Sequence, residues 1–217
     1  MAALQVQEAY NAFGRLKRDI TDVPLATFYE WCDYLNKFAY RYLIGIDPER
    51  FITSTTVNVV AGTAEYPLPA DFRSIQAAQT GMFELDTDGN PTGYTLAVTS
   101  FGSQDSGYYL SGSNVVITPN PTKSASYTFR YIPDVTTIDE STDYFTVSTA
   151  SDGNIILPSE FKEYVVKALD VFYNQWDEDL GMESFSDARF IRALDELART
   201  YKRTPDVYAL PDYTIYY

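Results

Sequence analysis

The sequence contains no histidine and only one cysteine, Cys32. Ser–His–Asp triads, Cys–His pairs and His-ligated zinc or iron sites all need histidine, so these classes of site are excluded. A single cysteine also excludes an internal disulfide, a redox pair of cysteines and a zinc cage of thiolates. We interpret Cys32, which falls on the apolar stripe of a predicted helix, as a buried core residue. These absences leave mostly binding and structural roles, and we expect no enzyme, no cofactor and no metal site.

Basic residues are scarce as well: 16 lysines and arginines stand against 30 acids, for a net charge of −14. Such a surface repels phosphate backbones, so nucleic-acid binding through a basic patch is disfavoured. The N-terminal segment has an acid at Glu8 and no uninterrupted apolar run, which argues against a signal peptide. No stretch approaches the roughly 18 apolar residues of a membrane-spanning helix. We expect a protein that is made in a cytosol and has no membrane partner.

Aromatic residues, in contrast, are abundant. They form 16% of the chain, with 19 tyrosines and 13 phenylalanines. Tyrosine buries a ring while keeping a polar tip, and it is enriched where protein surfaces meet. Nineteen tyrosines exceed what one core needs, and this excess favours an interaction protein.

The apolar spacing predicts four amphipathic helices, two in the first 45 residues and two after residue 158. Between them the period changes to two, which is typical of strands. Two pairs of short runs flank turn sequences and predict hairpins. The predicted strands and strand pairs are 55–60, 127–131, 83–85 with 94–96, and 108–110 with 115–117. Seven or more short strands predict an antiparallel sandwich or open barrel.

We therefore predict an α+β protein, in which a helical bundle from both ends of the chain carries an inserted antiparallel β-sandwich or barrel. The β-segment holds most of the negative charge, because residues 54–157 contain 11 acids and three bases. The predicted divisions are 1–52, the N-terminal helices; 53–157, the inserted β-domain; 158–204, the C-terminal helices; and 205–217, an extended C-terminal docking tail.

One short pattern occurs twice. Residues 66–72 and 155–161 share a strand that ends in Leu-Pro, a small residue, an acid and phenylalanine. Proline ends a strand by removing an amide donor and pre-sets the backbone for a helical turn. We interpret the pattern as a strand-to-helix corner used twice, without a chemical role.

Two loops resemble ligand sites and are better interpreted as turns. Residues 86–90 begin like a calcium loop, but Pro91 and Ala97 occupy the places where an EF-hand needs glycine and glutamate. This segment is predicted to be a hairpin turn. Residues 102–107 are rich in glycine, yet tyrosines follow where a phosphate loop has lysine and Ser/Thr. We predict a mobile connection between strands.

Paired carboxylates could support glycoside hydrolysis without histidine. The candidates are Asp134, Asp139, Glu140 and Asp143. They lie in a polar Thr/Ser/Asp run, which we interpret as a solvated loop. Both tryptophans fall on predicted helices, so they do not form sugar-binding platforms on the sheet.

The C-terminal segment is rich in tyrosine and contains Pro205 and Pro211, which prevent a helix. Extended aromatic segments add to a sheet edge or lie in a groove of another chain. The segment either folds back onto its own body or docks onto a partner, and we favour docking. The predicted docking residues are Tyr208, Leu210, Tyr213, Ile215, Tyr216 and Tyr217.

Taken together, the motifs resemble tailed-bacteriophage head-to-tail adaptor proteins. Residues 63–75 look like the signature of that family, and residues 107–121 are similar to its hairpin. Residues 127–131 and the helix start at 157–161 continue the match in the same order. The resemblance covers about residues 20–200.

The resemblance implies a homo-oligomeric ring, usually of twelve copies, beneath the portal protein at the head–tail interface of the virion. The helical part would contact the portal, with the C-terminal tail as the portal-docking segment. The β-domain would face the next tail component, a nozzle, stopper or tail tube. DNA would pass through the lumen without specific binding, because acidic residues repel phosphates. The protein would be made in the cytoplasm of the bacterial host.

Other interpretations stay open at this point. The chain could be another tail-ring, tube-completion or baseplate component, which position in the particle would distinguish. It could also be a carbohydrate-binding β-sandwich module, although the absence of tryptophans from the sheet argues against this. A carboxylate glycosidase is the weakest alternative.

Overall fold

The computed structural model describes residues 2–17, 23–75, 81–103, 105–146, 155–177 and 188–203. This part of the chain contains four α-helices: α1 Val6–Leu16, α2 Leu25–Ile46, α3 Lys162–Asp177 and α4 Ala188–Arg203. It contains eight strands: β1 Thr53–Val59, β2 Glu65–Pro67, β3 Phe72–Ser74, β4 Gly81–Leu85, β5 Pro91–Val98, β6 Gly107–Ser111, β7 Asn114–Thr118 and β8 Ala125–Pro133. Short 3₁₀ helices lie at Pro48–Phe51 and Ser159–Phe161. The predicted α+β class is confirmed.

Helices from both ends of the chain share one apolar cluster. Phe13 of α1, Leu35 of α2 and Leu194 of α4 are fully buried, and Phe172 of α3 is nearly so. Burying each such side chain contributes about 1.5–3 kcal/mol relative to leaving it exposed. The apolar stripes of the sequence therefore locate these helices correctly.

Ion pairs show that α1 and α3 run in the same direction. Lys162 near the start of α3 lies 2.6 Å from the carboxylate of Glu8 near the start of α1. Lys17, directly after α1, lies 2.6 Å from Asp170 further along α3. Since these pairs are partly exposed, each contributes about 0–1 kcal/mol, and the apolar contacts hold the helices together.

The strands form one eight-stranded sheet in the order β1-β8-β4-β5-β6-β7-β2, with β3 paired to β8. Both predicted hairpins are present, as β4 with β5 and β6 with β7. The prediction of a purely antiparallel arrangement is wrong at one junction, because β5 and β6 are parallel. A Cβ atom at Gly107 would lie 2.4 Å from the carbonyl oxygen of Ala97. Glycine at this position therefore allows the two strands to approach.

A second apolar cluster lies on one side of this sheet. Met82, Tyr108 and Phe129 are fully buried there, and Tyr66 and Phe72 pack against it. The hydroxyl of Tyr108 has no hydrogen-bond partner among the described residues. Burial raises the pKa of Tyr108 to about 12, because a charged phenolate would lose its hydration.

The repeated Leu-Pro corner forms the same turn in both places. The amide of Phe72 donates to the carbonyl of Pro69 at 3.0 Å, and the amide of Phe161 donates to that of Pro158 at 2.9 Å. Only the second turn continues into a helix, α3, so the predicted strand-to-helix corner is wrong at the first site. There the chain enters β3 instead, because β8 supplies a strand to pair with.

Helix α2 holds the segment that follows β8. The side-chain nitrogen of Asn36, a fully buried residue, donates to the carbonyls of Thr136 at 3.3 Å and Thr146 at 3.2 Å. One turn earlier, Asp33 accepts a hydrogen bond of 2.9 Å from the amide of Ile138. These contacts join an irregular segment to a helix about 100 positions away in the chain.

Tyr40 extends this contact toward the sheet. Its hydroxyl donates to the carbonyl of Pro133 at the end of β8. The guanidinium of Arg73 lies 5.5 Å from the centre of the Tyr40 ring and pairs with Asp134 at 3.2 Å. Burial raises the pKa of Tyr40 well above its usual value, so the hydroxyl stays a donor. Strand β8 is thus attached directly to the helical part.

Candidate interaction surfaces

The described residues do not include the predicted docking tail. The six residues concerned, Tyr208, Leu210, Tyr213, Ile215, Tyr216 and Tyr217, all lie outside them. The prediction that this segment docks onto a partner therefore stays a prediction. The candidate surfaces described below lie on the sheet and on the helices.

The first surface is an exposed apolar patch on β5, β6 and the loop between them. Strand β5 is unusual because seven of its eight residues are exposed. Tyr94, Val98, Phe101 and Leu110 are exposed there, and the half-buried Tyr109 contacts the Phe101 ring; we call these five residues the β5–β6 patch. Phe101 is 84% exposed, more than any other large apolar side chain of the described residues. An exposed aromatic side chain such as Phe101, with the Tyr109 ring beside it, is typical of a surface that contacts another molecule.

Hydrogen bonds close the turn at residues 100–103, which carries Phe101. The amide of Ser103 donates to the carbonyl of Ser100 at 3.0 Å, which closes a turn around Phe101. The hydroxyl of Thr118 on β7 donates to the carbonyl of Ser103 at 3.2 Å. The Phe101 ring meets the Tyr109 ring edge-on, with centroids 5.5 Å apart. The fold therefore presents Phe101 to solvent.

The second surface is an apolar groove between α1 and α3, which we call the α1–α3 groove. Its volume is about 210 Å³. The lining residues are Ala12, Leu16, Lys162, Glu163, Val166 and Lys167. Leu16 is 53% exposed at one end of the groove. Lys162 is paired with Glu8, and Lys167 and Glu163 carry opposite charges, so the charges around the groove balance.

The segment that resembles a calcium loop is a hairpin turn, as predicted. One carboxylate oxygen of Asp86 accepts hydrogen bonds from the amides of Asn90 at 2.8 Å and Asp88 at 2.9 Å. These bonds lower the pKa of Asp86, and the bond from Asn90 contributes most. Gly89 adopts a φ of 82°, the left-handed region that glycine favours. The carboxylate is therefore used to close the turn between β4 and β5.

The acids considered for glycoside hydrolysis are all exposed, and two of them have local partners. Asp139 accepts hydrogen bonds from Ser141 and Thr142. These bonds lower the pKa of Asp139, and those from Ser141 contribute most. Asp134 pairs with Arg73. Glu140 and Asp143 are exposed. The predicted solvated loop is confirmed at these four positions.

The remaining chemical candidates are also structural. Cys32 is fully buried, and burial raises the pKa of its thiol well above the ordinary value, as expected for a core residue. Trp31 and Trp176 lie on α2 and α3. Among the described residues, no group of three or more acids or cysteines could hold a metal ion. Within the same ranges, none of the helices has the length and apolar character needed to cross a membrane.

The sequence patterns did not indicate the β5–β6 patch or the α1–α3 groove. A signal for Phe101 exists, because a lone phenylalanine stands between Ser100 and Gly102 in a polar, turn-rich segment. Such an aromatic residue has no apolar neighbours in sequence to bury it. Leu16 gave no such signal, since it fits the helical stripe of α1 and its exposure depends on tertiary packing. Val166 lies next to the predicted stripe of α3, which passes through Val165.

No curated protein matches the chain significantly. A family model described as SU10 adaptor protein matches residues 3–211, a range that includes all four helices and all eight strands. The resemblance deduced from the sequence motifs is thereby confirmed. The chain belongs to the SU10 adaptor protein family, a family of phage head-to-tail adaptors and thus of virion components.

Proposed function

We propose that this adaptor forms a ring, usually of twelve copies, between the portal protein and the next tail component, and that the ring is part of the DNA conduit. The family match over residues 3–211 is the observation that carries the proposal. A structural role agrees with it, because adaptor proteins join other components. The same match favours this position over a baseplate or carbohydrate-binding role.

The two parts of the chain would contact different neighbours. We assign the helical regions, 1–52 and 158–204, to the portal side, with the tail 205–217 reaching into the portal. The inserted region 53–157 would face a nozzle, stopper or tail tube. The exposed patch on β5 and β6 supports an interface on the sheet, since apolar and aromatic surface is typical of contact regions.

The charge of the sheet region suits a conduit for DNA. Residues 54–157 contain 11 acids and three bases, and the hydrogen bonds to Asp86 and Asp139 lower their pKa values. These carboxylates therefore stay ionised at neutral pH. Negative charge on a lumen wall repels phosphates, so DNA slides without binding. A ring with a basic or neutral lumen would contradict this part of the proposal.

Binding to the portal protein of the same phage tests the proposal. We would compare the full chain with a chain truncated after Thr204, measuring complex mass by light scattering and shape by negative-stain electron microscopy. We expect the full chain to form a ring on the portal and the truncated chain to bind much more weakly. A full chain that does not bind the portal contradicts the adaptor role.

A point-substitution series separates the tail contact from general effects of truncation. The variant Tyr213→Ser with Ile215→Ser removes two predicted apolar anchors, while Asp212→Asn in the same segment is the matched control. We expect the double variant to raise the half-saturation concentration on the portal about tenfold or more and the control to leave it unchanged. Equal binding of both variants would contradict the role given to the tail.

A further inference from the structure

Strand β1 leaves one edge of the sheet open. Its residues, Thr53–Val59, pair with β8 in an unbroken antiparallel register, and β1 ends the strand order of the sheet. Apart from this ladder, no backbone hydrogen bond among the described residues involves positions 53–59. Every second residue of an edge strand points its amide and carbonyl away from the sheet. The outer side of β1 therefore presents a row of unpaired backbone groups.

The other free edges of the sheet are blunted. Strands β2 and β3 have three residues each, and β2 ends in Pro67, which has no amide to donate. Strand β5 meets β6 only at its last two residues, begins with Pro91 and departs from the extended conformation at Gly93, with a φ of 87°. The hydroxyl of Thr92 accepts the amide of Tyr94 at 3.2 Å, so that donor is already used. Such features keep a strand from pairing with another chain.

Strand β1 has none of these features. It contains no proline, no glycine and no charged residue, and its register with β8 has no bulge. The small polar residues Ser54, Thr56 and Asn58 are exposed along one face. Because residues 54–157 hold 11 acids and three bases, β1 is a neutral strip where a second copy meets little repulsion. A long, regular and uncharged edge is suited to pairing with a strand of another chain.

We propose that the unassembled chain forms a twofold dimer, in which β1 pairs antiparallel with β1 of a second copy and Thr56 lies on the twofold axis. An open edge is covered by another open edge, and among the described strands β1 alone is long and regular at its free edge. A contact between two copies of the same surface closes at two copies. The dimer is therefore a form that precedes ring assembly, and it does not depend on the proposed ring.

The sequence of β1 is self-complementary in this register. With Thr56 opposite Thr56, Ser54 lies opposite Asn58 and Thr55 lies opposite Val57. Since side chains alternate along a strand, the exposed face of one β1 meets the exposed face of the other, and the face that carries Val57 meets its own equivalent. Threonine pairs across antiparallel strands stabilise a sheet, and no like charges come together.

The dimer is expected to be weak. Seven residues on each side are far fewer than the roughly 20–30 of a standard protein interface. We therefore expect a dissociation constant of about 10 µM or above. A weak contact covers the edge against uncontrolled strand pairing and still opens when the chain assembles.

Sedimentation velocity of the full chain, from about 1 µM to about 1 mM, tests the dimer. We expect the mass to rise with concentration to that of two copies. Thr56→Lys places two like charges opposite each other and should leave the chain monomeric. Thr95→Lys, the same change at an exposed position of β5, is the matched control and should dimerise normally. A chain that stays monomeric, a mass that rises past two copies, or normal dimerisation of Thr56→Lys overturns the proposal.

A mixture of opposite charges shows that position 56 meets position 56. Thr56→Glu alone should be monomeric, like Thr56→Lys, because like charges again face each other. An equal mixture of the two variants should dimerise, since each pair then carries one charge of each sign. The rescue also shows that both variants are folded. A mixture with no more dimer than either variant alone contradicts the proposed contact.

Disulfide formation tests the register. Thr56→Cys should give a covalent dimer on a non-reducing gel after oxidation. In Asn58→Cys, the control, the two cysteines are offset by four residues, about 13 Å along the strands, which is too far for a disulfide. The buried Cys32 stays in place in both variants. Equal amounts of covalent dimer from the two variants would be inconsistent with the register.

Truncation after Thr204 tests the C-terminal segment as the other occupant of the β1 edge. We expect the truncated chain to dimerise like the full chain. A truncated chain that no longer dimerises would assign the β1 edge to that segment and overturn the proposal. These measurements use no portal protein, so a failure of the adaptor role and a failure of this inference are distinguished.

Discussion

Replacing Asn36 by aspartate tests the contact that joins α2 to the segment after β8. The side-chain nitrogen of this fully buried residue donates to the carbonyls of Thr136 and Thr146, at 3.3 and 3.2 Å. Asn36→Asp keeps the shape of the side chain but turns the donor into a carboxylate oxygen that faces two carbonyl oxygens. Among the described residues, nothing donates to Oδ1 of Asn36, so the new carboxylate would have no hydrogen-bond partner there.

The expected effect is large and depends on pH. The carbonyls of two half-buried residues, Thr136 and Thr146, lose their donor, at up to about 1–3 kcal/mol each. An uncompensated buried charge typically costs about 3–5 kcal/mol. Since these two costs overlap, we expect the free energy of unfolding at pH 7 to fall by about 3–5 kcal/mol. Burial raises the pKa of the introduced carboxyl, and its protonated form regains one donor. The difference from the unsubstituted chain should therefore shrink as pH falls toward 5.

Urea unfolding followed by circular dichroism measures both effects, at pH 7 and at pH 5. Asn11→Asp is the matched control, because Asn11 is exposed on α1 and accepts a hydrogen bond from Gln7 that aspartate can also accept. We expect the control to change stability by less than about 0.5 kcal/mol. A loss below about 1 kcal/mol for Asn36→Asp, or a loss that does not depend on pH, would refute the reasoning.

Three further predictions concern the sheet and one helix. Tyr131→Phe removes a hydroxyl that donates to Asp71 at 2.8 Å, so urea unfolding should show a loss of about 1–2 kcal/mol; an unchanged midpoint would contradict this contact. Folding raises the pKa of Tyr108 from 10.0 to about 12, so on raising the pH the Tyr108 hydroxyl ionises first in the unfolded chain. Thermal melts should therefore show a loss of stability between pH 10 and 12 and none below pH 10. Gly89→Ala, at a φ of 82°, should lower the melting temperature, with a cost of about 1–2 kcal/mol. Gly45→Ala, in α2 with open space around it, should raise the melting temperature. A higher melting temperature for Gly89→Ala than for Gly45→Ala would contradict these backbone conformations.

Local features of the fold were predictable from the sequence because they depend on residues close together in the chain. The helical stripes identify α2 and α3, whose buried residues recur every three or four positions. The turn at Asp86–Asn90 and its flanking strands identify the β4–β5 hairpin. In each case the period of the apolar residues and the chemistry of the turn carry the information.

Features that depend on distant parts of the chain were not predictable in the same way. The parallel pairing of β5 and β6 reverses an expected antiparallel arrangement, and no local pattern marks it. Asn36 lies among apolar positions of α2, and its partners are about 100 residues away. The exposure of Leu16 likewise follows from how α1 packs on α3. Tertiary packing, which a single periodicity does not record, decides all three.

The position of the protein in the virion tests the central claim most directly. Cryo-electron microscopy of the intact particle would resolve the neck between head and tail. The account predicts a closed ring directly beneath the portal, in which each subunit contains the four helices and the eight-stranded sheet described for this chain. Finding this fold at the baseplate, or finding a different protein between the portal and the tail, would contradict it.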